Sequence, residues 1–284
     1  MKQNTIVAIG ALGGSGTRVV AQILMDAGIF MGDDLNVAND NLVFTRLFKN
    51  PRWFENTSQN NVNKRLKLFE KYMTNGHLSF SEKLHIAFAA YTNPSIKSNS
   101  DYYSKLFSEP IIRTNKTNFI WGWKEPNTQI YIEEIANYSP NLKYIHVIRH
   151  GLDMAFSDNK QQLKNWGYRF NIHLKADDDE KEIARKQLDY WIKSNTNAIE
   201  KGRELLDDRF HLLYHEKLCK QPKIEIKNLM NFIGHEINDS ILASLASIPT
   251  ISGSGERYKK NDCSIFSEEQ LREVENLGFS ISKK

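Results

Sequence analysis

The stretch GALGGSGTRVV, residues 10–20, constrains this chain more than any other. It follows a short apolar, β-prone run, Thr5 to Ile9, and leads into Val19, Val20, Ile23, Leu24 and Ala27, which fall at helical spacing. The unit is strand, glycine-rich turn, helix, with Gly28 as the helix stop and Ile29 to Met31 as a candidate next strand. Such a turn lets backbone N–H groups converge on an anion, and the helix adds the positive end of its dipole. Gly13, Gly14 and Gly16 supply the bends, and Ser15 and Thr17 supply hydroxyl donors. The same glycines also suit a tight connection that binds nothing.

A nucleotide kinase needs GxxxxGK[ST], with lysine on the terminal phosphates and a hydroxyl on magnesium. Here Thr17 and Arg18 follow Gly16, so both roles are vacant. GxGxxG fits poorly too, and no acidic residue closes a second short strand at the spacing a dinucleotide fold requires.

Two more apolar runs read as strands, Asn118 to Trp123 and Leu142 to Ile148, followed by the helix-like stretches TQIYIEEIAN and LDMAFSDNKQQLKNW. His211 to Tyr214 reads as another strand, and DDDEKEIARKQLDYWIKSNTNAIEKGRELL and IEIKNLMNFIG as amphipathic helices, the latter ended by Gly234. The alternation predicts an α/β fold, a three-layer parallel sheet whose ligands sit at the carboxyl ends of the strands. At 284 residues and 40% hydrophobic, the chain can bury one large core, so a single domain over 1–284 is expected, with residues 50–117 a mainly helical insertion.

Arg149, at the end of a predicted strand, and Ser157, near one turn of the helix after it, can face the same crevice as the loop. A guanidinium fork suits a phosphate, and a hydroxyl adds one hydrogen bond. A solvated strand-end arginine and a helix serine are the plain alternative.

Together these residues resemble the sulfotransferase family that uses 3'-phosphoadenosine 5'-phosphosulfate (PAPS). SGT at 15–17 resembles its 5'-phosphosulfate loop, RHGLDMAFS at 149–157 its RxxxDxxxS element for the 3'-phosphate, and LLYHEKLCKQP at 212–222 its YEDL-type strand end. SGSGERYKK is similar to the basic segment that closes over the nucleotide, which implies a 3'-phosphate contact for Arg257. The chain departs from the pattern at Gly14, near where many members carry a cation, so Arg18 is the candidate replacement. It departs again at Lys124 to Pro126, where KEP stands for KTH: Lys124 keeps the lysine position, and the histidine base is missing.

The resemblance implies in-line transfer of a sulfuryl group to a hydroxyl or amine, with PAP (3'-phosphoadenosine 5'-phosphate) as product and no metal requirement. Backbone amides, Ser15, Thr17 and Lys124 would carry the charge stabilisation. For the base, Asp34 is the first choice and Asp33 the second, because members acting on tyrosyl peptides have a glutamate in a similar Gly-acid-acid setting; the competing reading makes the pair a cap for a helix starting at Leu35. Glu125 competes from its strand end. His77 and His85 lie in the insertion, and His146, His150, His173, His211, His215 and His235 have no stronger claim.

The acceptor is read as a small molecule or saccharide, the latter preferred, with Trp53, Phe54, Tyr91, Tyr102, Tyr103, Trp121 and Trp123 as platform candidates against a core role. The net charge of +4, spread without a basic tract, favours a local anion pocket over a nucleic-acid face. No apolar run approaches the ~20 residues of a membrane helix, and lone Cys219 and Cys263 suit a reduced, cytoplasmic protein. A P-loop kinase-like phosphotransferase and a non-catalytic nucleotide-binding protein are the alternatives.

Overall fold

The computed structural model describes residues 4–74, 77–108, 119–250 and 256–281. The glycine-rich segment bends as its sequence requires. β1 (Ile6–Ala11) is buried at every position, and α1 (Thr17–Asp26) starts directly after Gly16, whose φ of 91° is left-handed backbone that glycine adopts at little cost. Gly28, with φ of 88°, lies just past the end of α1.

The following helices are α2 (Leu42–Phe48), α3 (Pro51–Glu55), α4 (Gln59–Thr74), α5 (Phe80–Tyr91) and α6 (Ser100–Ser108). Then come β2 (Trp121–Lys124), α7 (Ile132–Ala136), β3 (Leu142–Ile148), α8 (Gly151–Ala155), α9 (Gln161–Trp166) and α10 (Glu180–Leu206). β4 (Phe210–Tyr214), α11 (His215–Lys220), α12 (Pro222–Ile233), α13 (Asp239–Leu245) and α14 (Glu268–Asn276) complete the order.

The sheet runs β2-β1-β3-β4, and each neighbouring pair is parallel. Alternate side chains of β1 enter two cores. Val7, Ile9 and Ala11 pack with Val20, Ile23 and Leu24 of α1 and with α12, whereas Ile6 and Ala8 join the aromatic core of Phe44, Phe69, Trp121 and Trp123 under α2 and α4. Helices thus cover both faces, giving the expected three-layer α/β fold.

Four local readings need correction. Ile29 to Met31 is not a strand: Phe30 alone makes a bridge, to Trp121, because Gly28 and Gly32 turn the chain on either side with positive φ. The second strand begins at Trp121 and runs on to Lys124; Asn118 lies outside the described residues. TQIYIEEIAN divides into a 3-10 helix, Pro126–Tyr131, and α7.

LDMAFSDNKQQLKNW is two helices rather than one. Phe156 caps α8, and Ser157 lies beyond it, where its Oγ accepts from Asn159 N (3.3 Å) and Asn159 Oδ1 accepts from Gln161 N (3.3 Å). Those local bonds offer the backbone an alternative to the helix. Among the described residues no helix is long and apolar enough to cross a membrane.

Candidate active site

Parallel pairing brings the carboxyl ends of all four strands to one edge. The loop after β1 meets the end of β3 there: Arg149 Nη1 donates to the Gly14 carbonyl at 3.2 Å. From behind, Gln162 Oε1 accepts from Gly13 N at 3.1 Å and its Nε2 donates to the Ala11 carbonyl at 3.2 Å, so α9 fixes the loop's entry. Asn127 Oδ1 accepts from Gln162 and from Trp166 Nε1, while Asn127 donates to both oxygens of buried Glu125. The polar network runs from the end of β2 to the loop.

The loop itself has the features of an anion cradle. Gly14 and Gly16 have φ of 98° and 91°, α1 has no side-chain cap, and the Ser15 hydroxyl is buried with no partner among the described residues. An unpaired buried hydroxyl costs free energy that an arriving acceptor would recover. A phosphate-type group therefore fits these residues. Thr17, the first residue of α1, is buried, and Arg18 is exposed, with its carbonyl held by Asn39 Nδ2 at 3.4 Å.

At the far end of the crevice, buried Asp153 accepts from Glu256 N at 2.9 Å and Tyr258 N at 3.0 Å, and His150 stacks on Tyr258 with centroids 4.5 Å apart. Arg257 Nη1 donates to the carbonyls of Asp153 and Phe156, both at 3.3 Å. The C-terminal turn is thereby docked beside Arg149. Its Ser252 to Gly255 portion lies outside the described residues. A cavity of about 560 Å³ opens here, lined by Arg149, Asp153, His215, Lys217, Lys220 and Tyr258 among others.

Lys124, 2% exposed, ends β2 with its ammonium on the Ala38 carbonyl at 2.7 Å and on Asp40 Oδ1 at 2.5 Å. Asp40 belongs to the same connection as Asp33 and Asp34. Those two line a different cavity of about 500 Å³ with Arg46, Tyr72, Asn99, Asp101, Tyr102 and Lys105. Asp34 pairs with Arg46, whose guanidinium lies 3.7 Å from the Tyr102 ring centroid. The 33–40 connection thus touches Lys124 on one side and a polar cavity on the other.

The reading of Asp33 and Asp34 as caps for a helix at Leu35 is overturned, since the next helix starts at Leu42 and Asn41 caps it. Glu125 is fully buried and caps the Pro126–Tyr131 turn, and burial pushes its carboxyl above the usual range despite Lys49 at 3.9 Å. Of the aromatic candidates, Tyr102 lines the polar cavity. Trp121 and Trp123 are core residues, Trp53 lies under the Arg65 guanidinium, and Phe54 packs on Tyr131. His77 and His85 are exposed in the helical region.

Sequence reasoning did not single out Asp40, Gln162 or the position of His215. Asp40 and Gln162 reach the site through contacts spanning 84 and 151 residues, which leave no local pattern. His215 did have a signal, as it directly follows a strand's carboxyl end.

A model of the sulfotransferase family matches residues 7–239. The chain belongs to the sulfotransferase family. The sulfotransferase domain from the curacin biosynthetic pathway shares this fold, with TM-score 0.52 and 16% identity over 98% of this chain and 99% of that one. The sulfotransferase domain of the Synechococcus PCC 7002 olefin synthase is similar at TM-score 0.47 and 13% identity, over 99% and 98% of the two chains. A mouse sulfotransferase complexed with PAP gives TM-score 0.37 and 12% identity over 98% and 84%. No curated protein sequence matches significantly.

Proposed function

We propose that the protein transfers a sulfuryl group from PAPS to a hydroxyl of a polar acceptor, with a saccharide preferred over an amine or phenol. The observation that carries this reading is the Arg149 contact with Gly14, which frames the glycine loop and the RHGLDMAFS element into one crevice. When bound, the donor supplies the sulfuryl group and, as leaving group, the 5'-phosphate of PAP.

The chain's residues divide the remaining work. Gly13 to Thr17 and the free end of α1 hold the 5'-phosphosulfate, with Arg18 at the rim, while Arg149, Ser157 and Arg257 hold the 3'-phosphate. Lys124, exchanging its Asp40 partner for the bridging oxygen, stabilises the charge that grows as the S–O bond breaks. Asp34, fixed at the cavity wall by Arg46, takes the acceptor's proton as the new S–O bond forms, with Asp33 its alternate. Carboxylates, Asn99 and Tyr102 around that cavity suit the hydroxyls and ring faces of a sugar.

We also read residues 1–284 as one sulfotransferase-like domain with 50–117 as its helical insertion, of which 75–76 and 109–117 lie outside the described residues. Two free cysteines suit a reduced, cytoplasmic setting.

Calorimetry with PAP tests the donor. Binding in the micromolar range is expected, and no heat at high micromolar PAP refutes the reading. Transfer of labelled sulfate from PAPS to a panel of saccharides, phenols and amines then separates enzyme from binding protein. Magnesium-dependent ATP turnover would point instead to phosphoryl transfer.

A further inference from the structure

One titratable side chain touches the glycine loop and has no role in the scheme above. His215 is the first residue of α11, immediately after the end of β4, and it is 8% exposed. A Cβ built on Gly16 would lie 2.3 Å from His215 Nδ1 and 2.7 Å from its Cε1, so this edge of the ring rests on the loop at Gly16. Its Nδ1 is buried and has no partner among the described residues. The other ring nitrogen is oriented by Cys219, whose sulfur is 3.7 Å from Nε2. The ring also lines the cavity that Arg149 and Asp153 share, so it stands between the loop and the nucleotide crevice.

Two unpartnered buried polar groups, Ser15 Oγ and His215 Nδ1, therefore flank Gly16. Such groups are rare in native proteins and call for a partner that completes them. The loop meanwhile has glycine at position 14 and an exposed Arg18, so it lacks a buried cation of its own.

We propose that His215 supplies that missing cation: its Nδ1–H donates to the 5'-phosphate end of the donor, and nucleotide binding charges the imidazole. This rests on the donor reading given above. The groups facing His215 set the direction of the change. Burial holds its pKa below the usual histidine value, with Glu216 on its own helix partly opposing and Arg149 from the end of β3 adding a smaller push in the same direction as burial. Cys219 is itself pushed up by burial, so it faces the ring as a thiol. Asp153, Lys217 and Lys220 stand around the same cavity. The ring is thus neutral in the free protein near pH 7, and a phosphate dianion beside it favours the charged form.

The test compares the full-length protein with His215→Phe and His215→Asn, with thermal melts confirming that each folds. Binding of PAP and of adenosine 3'-phosphate, which lacks the 5'-phosphate, is measured by calorimetry in buffers of different ionisation heat. His215→Phe should weaken PAP at least tenfold and adenosine 3'-phosphate less than threefold. His215→Asn, which keeps a neutral donor near the Nδ1 position but no charge, should recover only part of the PAP affinity and take up fewer protons than the wild type on binding. Equal losses for the two nucleotides, or unchanged PAP affinity and proton uptake in His215→Phe, would overturn the proposal while leaving the donor reading intact. Failure of the wild type to bind PAP at all would sink both.

Discussion

Arg149 sits at the end of β3 with its guanidinium on the Gly14 carbonyl and 4.0 Å from the Asp153 carboxylate. Both contacts leave its fork beside the crevice, where a 3'-phosphate would add charge-assisted bonds of about 1.5–3 kcal/mol each. Arg149→Ala should therefore weaken PAP binding tenfold or more in calorimetry, and unchanged affinity would refute the 3'-phosphate placement. Asp34→Asn should leave PAP binding within about twofold of wild type and lower turnover at least tenfold, since base catalysis is worth on the order of a hundredfold or more. If turnover holds, Asp34 is not the base. Gly13 to Thr17 and Arg149 were legible because their signals are local: glycines after an apolar run, and an arginine where a strand stops. The Lys124 partner was not. Asp40 lies in an Asn- and Asp-rich turn with no periodicity, and only folding carries it to the end of β2.

At the scale of elements, the docked C-terminal turn depends on α8. Asp153, 4% exposed, accepts from the N–H groups of Glu256 and Tyr258, and His150, which caps the N-terminus of the same short helix, supports the Tyr258 ring. Asp153→Ala removes both carboxylate bonds, and the alanine fills the place of a carboxylate that also lies near Arg149. The expected cost is roughly 2–4 kcal/mol of stability. Amide exchange over residues 256–260 should quicken far more than exchange in the strands, and PAP affinity should fall as Arg257 loses its seat. Uniform quickening across the sheet would show instead that the turn and the core open together. The sequence suggested one long helix across this region because its apolar spacing continues through Phe156. What divides it is hydrogen bonding by Ser157 and Asn159 to the local backbone, a competition that periodicity does not register.

The whole molecule was legible in its layers and less so in its order. Apolar runs bounded by glycine, proline and asparagine predict parallel strands with helices between them, but nothing local states that β1 lies between β2 and β3. That order makes β1 and β3 the central strands and buries His146 completely, with Nε2 at 2.9 Å from Asn195 Oδ1. Burial lowers its pKa to about 4, and it also lowers those of His150, His211 and His215. For each, the folded pKa lies below the unfolded value near 6.5, so in between the unfolded chain holds a proton that the native state lacks. Stability is then full above about pH 6.5 and falls as pH drops toward 4, by roughly 1.4 kcal/mol per pH unit for each full proton of difference. Glu125 and Glu134, raised by burial, act in the opposite sense but are fewer than the histidines. Urea unfolding midpoints should consequently be lower at pH 5 than at pH 7, and His146→Gln should reduce that difference. Equal midpoints at the two values would contradict the buried neutral state of these rings. With saturating PAP the acid-side loss should shrink, because a charged His215 in the complex removes one of the rings that penalise the native state as protons become available.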